Sequence, residues 1–202
     1  MARAEVMRWA ACTAGMAAVL AAATPEIEYT LAHGSPAEAQ TRAQLQRLLR
    51  QYDLSGWIWT RSVVIDSDAI PHSHPKLTLH TRHLNDDLAL LSTFIHEQYH
   101  WYETAHPKER DAAIAELRRM YEEVPVGGRD GARDQESSYL HIIVCYVEWQ
   151  KMKALVGDEQ ARKVMEFWAD DHYRKIYRLV LDNEQAVGGV VRRHGLLPEG
   201  LG

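Results

Sequence analysis

The sequence predicts an α+β fold: a small N-terminal β-sheet followed by a mainly helical part. Three observations point there. A β-branched and aromatic stretch, GWIWTRSVVID (56–66), and one that alternates apolar and polar residues, KLTLHTRH (76–83), lie in the first half. From Asn85 onward the apolar residues recur with helical spacing. The chain has 202 residues, of which 46% are hydrophobic, which suits one core. We assign residues 1–25 to a leader, 26–187 to a single domain and 188–202 to a loose C-terminal tail.

The elements follow in order. Ser35, Pro36 and Glu38 form a helix start, with an N-cap, a proline in the first turn and a carboxylate in the capping-box position. Ala39, Ala43, Leu45, Leu48, Leu49 and Tyr52 carry that helix to about residue 53. The two β stretches come next. Asn85-Asp86-Asp87 then places acidic caps at the start of a helix running from Leu88 through His100 to about Thr104. Pro107 opens another helix, closed by VPVGGRDG. A long apolar helix from about Asp134 to Val156 ends at Gly157. Asp158 opens a last helix that reaches about Asn183.

The net charge of −5 gives no electrostatic footprint for nucleic acid. The two cysteines, Cys12 and Cys145, make neither a disulfide framework nor a CxxC metal site. Residues 1–25 read in two ways. Arg3 and Arg8 followed by an Ala-rich run and Ala21-Ala22-Ala23 have the layout of a signal peptide. Glu5 and the scarcity of large apolar residues suit a plain extension instead. The run is too short for a comfortable membrane span. Neither compartment nor oligomeric state is legible.

The chemistry concentrates in LLSTFIHEQYHWYETAH (90–106). Residues i and i+4 of a helix lie one above the other, so His96 and His100 present two imidazoles to one point. Neutral imidazole is a good zinc ligand. Glu97 sits beside the first ligand, within reach of a water on the metal. Zinc lowers the pKa of such a water to about 7, and a carboxylate can then take its proton. Phe94, Ile95, Tyr99 and Trp101 surround the motif with apolar bulk, where unpaired imidazoles are costly.

On HEQYH, its helix and the preceding β stretches, the chain resembles the zincin metallopeptidases. The resemblance implies a short sheet before the active-site helix. It also implies an edge strand, the role open to KLTLHTRH, that lies along the cleft and pairs with extended peptide.

A catalytic zinc has three protein ligands and an open position. Two sources compete for the third. His106 completes the spacing of the metzincin branch, but Glu103 stands where that branch has the glycine that turns the chain. The alternative is the apolar helix ESSYLHIIVCYVEWQKM, with His141 and Glu148 seven residues apart on one face. We assign His141 as ligand and Glu148 as the acceptor that orients a zinc-bound imidazole. Exchanged roles, and Glu136, stay open. His72, His74, His80 and His83 read as exposed or capping residues, although His83 lies close enough to the helix to help polarise a substrate.

The expected function is therefore that of a zinc-dependent hydrolase, in the first instance a metallopeptidase acting on peptide or protein. In that reading His96, His100 and His141 hold Zn2+ and Glu97 is the base. A structural metal site, or a metal-free helical interaction module with buried histidines, are the alternatives.

Overall fold

The computed structural model describes residues 26–201. The leader expected at residues 1–25 lies outside them. The architecture is α+β and mostly helical, with three short strands and seven helices among the described residues. The strands β1 (Glu28–Leu31), β2 (Ser62–Ile65) and β3 (Leu77–Leu79) form a parallel sheet in the order β1-β2-β3. Helix α1 (Pro36–Gln51) connects β1 to β2. Then follow α2 (Asp87–Thr104), α3 (Pro107–Met120), α4 (Gln135–Val156), α5 (Asp158–Asp171), α6 (Arg174–Asp182) and α7 (Glu184–Arg193). None of these helices is long and apolar enough to cross a membrane.

The capping chemistry read from the sequence is in place. Ser35 accepts from the Glu38 N–H and Glu38 accepts from the Ser35 N–H, closing the capping box of α1. The same carboxylate also accepts from the backbone N–H groups of His33 and Ser67. One buried side chain thus ties the end of β1, the start of α1 and the end of β2 together. Asp86 caps α2 and Asp134 caps α4, each accepting from a backbone N–H three residues on.

Helix α4 is the central post. It packs against α2, α3, α5, α6 and α7, and it is buried nearly all round, with Ile142, Ile143, Val144 and Val147 wholly inaccessible. That explains an apolar pattern with little amphipathic bias. The HEQYH helix α2 lies between this post and the sheet side, where it contacts α1 and β3.

Four expectations are corrected. The first β stretch is a strand only over β2; Ser55–Trp57 is a 3₁₀ turn instead, and Trp57 packs into the core. The stretch KLTLHTRH is a strand over Leu77–Leu79 alone. His80 accepts from the Arg82 N–H and turns Thr81–His83 into a 3₁₀ turn. The outer edge of β3 is not free either, because the Thr78 N–H and C=O both bond to His72, at 2.7 and 3.1 Å. Third, the single helix expected from Asp158 to Asn183 breaks at Tyr173. The loop before α4 makes the break: the Arg129 guanidinium donates to the Asp170 and Asp171 carbonyls, while the Arg129 and Asp130 carbonyls cap the Arg174 and Lys175 N–H groups. Tyr173 takes the left-handed conformation there, at φ 49°.

Last, the loose tail expected over 188–202 is packed where it is described, residues 188–201. Val190, Val191 and Leu196 are wholly buried, and the Tyr99 hydroxyl donates to the Leu196 carbonyl at 2.8 Å. A Cβ on Gly188 would meet the Tyr146 hydroxyl at 2.2 Å, so α7 sits closer to α4 than any larger residue allows.

Two outcomes are expected. Leu196→Ala destabilises the fold by about 2–4 kcal/mol in urea denaturation, as for other large-to-small core changes. Burial alone would raise the Glu38 pKa, but the backbone donors of Ser35, His33 and Ser67 outweigh it and hold it below its ordinary 4.5. A depressed carboxyl stabilises the fold above its unfolded pKa and loses that effect as pH falls through the folded one. Glu38→Gln therefore lowers the melting temperature at about pH 7, and the difference from the native chain closes towards about pH 3.

Candidate metal centre

His96 and His100 project from α2, one turn apart, and His141 faces them from α4. Their ring centroids are 5.2 Å (His96–His100), 5.5 Å (His96–His141) and 5.1 Å (His100–His141) apart. One nitrogen of each lies within 4.8 Å of the other two, a spacing in which a single metal ion fits.

The hydrogen bonds identify which nitrogen is available. His96 donates through Nδ1 to Glu148 Oε2 at 2.9 Å, His141 through Nδ1 to the Ser137 carbonyl at 2.6 Å, and His100 through Nδ1 to Glu103 Oε1 at 3.3 Å. With all three Nδ1 atoms used as donors, the Nε2 lone pairs are left for a metal. Acceptors of this kind fix the tautomer and the ring orientation of metal-binding histidines. Burial, and then repulsion by neighbouring imidazoles, hold His96 and His141 well below the ordinary histidine pKa. They stay neutral, as ligands must.

Glu148 is anchored on both oxygens. It accepts from the Ser92 hydroxyl on Oε1, and from His96 Nδ1 and the Tyr177 hydroxyl on Oε2, the latter at 2.8 Å. Trp168 Nε1 donates in turn to Ser92 Oγ at 2.9 Å. Burial lifts Glu148 to about 7 against the pull of its donors. Cys145 Sγ also lies near Glu148 and His96, but burial raises the thiol and Glu148 has no oxygen to spare.

The cluster opens onto a cavity of about 640 Å³. His96, His100 and His141 are 6%, 8% and 7% exposed, so their accessible edges lie on that cavity and nowhere deeper. Glu97 lines it too, 7% exposed and making no side-chain hydrogen bond among the described residues. Burial pushes its carboxyl up to about 7.

The rival ligands are elsewhere. His106 stacks on Tyr102, donates to the Tyr102 carbonyl at 2.7 Å and stands at the N-terminus of α3. Glu136 pairs with Arg118 at the surface. Of the other histidines, His83 is buried against Trp168 on the cavity wall and lowered to about 4, by burial first and Arg82 second. His72 and His74 stand at the cavity rim, His74 stacked on Trp101 at 4.3 Å.

Sequence reasoning missed Tyr173, whose ring lies 4.3 Å from that of His141 and parallel to that of His96 at 6.4 Å. It also missed Tyr177, Ser92 and Glu103. Glu103 was legible in principle: at i+3 from His100, a buried glutamate is placed to accept from it.

No protein-family model matches this chain, and no curated protein or solved structure does so either.

Purified chain loaded with zinc and passed through a desalting column is expected to retain one ion. His141→Ala should lose it and His106→Ala should keep it, as read by elemental analysis.

Proposed function

We propose that the chain is a zinc-dependent hydrolase that cleaves amide bonds, most simply a metallopeptidase. The observation that carries this reading is the company Glu97 keeps. Among the described residues it is a carboxylate without a partner, buried beside three imidazoles whose Nδ1 atoms are all satisfied, on a cavity large enough for a peptide unit. A structural metal site is closed and has no use for an unpaired acid next to it.

The donor set suits zinc: three imidazole nitrogens that converge on the wall of the cavity. A zinc ion held by His96, His100 and His141 supplies Lewis acidity towards a carbonyl and acidifies water. The chain's own residues do the rest. Glu97, its pKa brought near neutrality by burial, accepts a proton from the attacking water onto a carboxylate oxygen. As the C–N bond breaks, Glu97 returns that proton to the leaving nitrogen, giving a carboxylic acid and an amine. Glu148, Glu103 and Ser137 keep the three rings aimed throughout. The rings of Tyr173 and Trp168 wall the cavity on the α5–α6 side.

Glu97→Gln tests the assignment. The variant is expected to bind zinc with unchanged stoichiometry while kcat on a peptide substrate falls by about 10²–10⁴-fold, the range for losing a general base. Turnover at the native rate would rule out Glu97 as the base.

A further inference from the structure

The rim of the cavity on the sheet side is the segment Ile70–His74, all five residues of which line it, with His72 held in a β-bridge to Thr78. Its main chain limits what can dock there. In extended chain, successive residues direct their N–H and C=O groups to opposite edges. His72 spends both groups on Thr78, inward. Pro71 and Ser73 therefore face the other edge. That edge looks towards α2, because Trp101 Nε1, next to His100, donates to the Ser73 carbonyl at 3.0 Å.

An edge that binds an extended polypeptide offers a continuous row of donors and acceptors. This one does not. Pro71 has no N–H to give. The Ser73 carbonyl is engaged by the indole. Pro75 removes the next donor along. What remains is one acceptor, the Pro71 C=O, and one donor, the Ser73 N–H; neither has a protein partner among the described residues. They flank a single residue. That is the pair which, in a parallel register, receives the N–H and returns a bond to the C=O of one partner residue.

From this we infer that the rim grips a single residue of the substrate main chain, through Pro71 C=O and Ser73 N–H. The site then takes dipeptide-sized amides or chain ends, and not polypeptide laid along a strand. This rests on the hydrolase reading above and narrows it.

The test is a series of peptides sharing one scissile bond, a dipeptide amide, a tetrapeptide and an octapeptide, given to the zinc-loaded full chain. Binding is read separately by tryptophan fluorescence in zinc-loaded Glu97→Gln, since Trp101 abuts the rim. Expected are kcat/KM and affinity that stay within about threefold across the series. Pro71→Ala with Trp101→Phe restores a donor and frees a carbonyl; it should raise the octapeptide's kcat/KM relative to the dipeptide's by at least about threefold. A native chain that prefers the octapeptide by about tenfold or more in affinity overturns the single-residue grip and leaves the hydrolase reading intact. Length-independent binding without cleavage by the native chain does the reverse. If no peptide is bound or cleaved, both fail.

Discussion

The structure turns on one buried carboxylate. Glu148 sits in the middle of the central helix with no exposure, and three donors from two other helices converge on it: Ser92 and His96 from α2, Tyr177 from α6. A buried acid left without partners costs several kcal/mol or stays protonated. Satisfying it dictates how α2, α4 and α6 are rotated about one another. That rotation brings His96 and His100 to face His141. The polar centre and the helix packing are thus one constraint, and a change that loosens Glu148 is felt in both.

Around this point the fold divides its labour. The sheet and α1 form a small platform held by Glu38, and the connection from β2 to β3 supplies the rim. Helices α2 and α4 carry the imidazoles and the acid Glu97. The break between α5 and α6 swings the ring of Tyr173 over the cluster, where an unbroken helix would follow a different path. The cavity is therefore bounded by parts distant in sequence, each held by hydrogen bonds that can be named.

The sequence disclosed what short-range rules govern. The Ser35/Glu38 box, the Asp86 and Asp134 caps and the i, i+4 placement of His96 and His100 are local and came through. The pairing of α2 with α4 followed from one further argument, that a histidine and a glutamate buried on one face need a common partner. The features it did not disclose are long-range. The break at Tyr173 is imposed by Arg129 and Asp130, more than forty positions away, and nothing in ADDHYRKIY announces it. The C-terminal segment reads as polar and glycine-rich, yet Gly188 is what lets α7 settle on Tyr146. The four-residue strand Glu28–Leu31 is too short to show a period.

The spread of these donors along the chain has a consequence for biosynthesis. The first imidazole lies at position 96 and the last side chain that fixes its aim at position 177. A ribosome must release most of the polypeptide before His96, His100 and His141 stand in their final arrangement. Until then Glu148 lacks its Tyr177 donor, and the aim of His96 is not yet fixed. The geometry of the polar centre is thereby deferred to the moment the helices close around it.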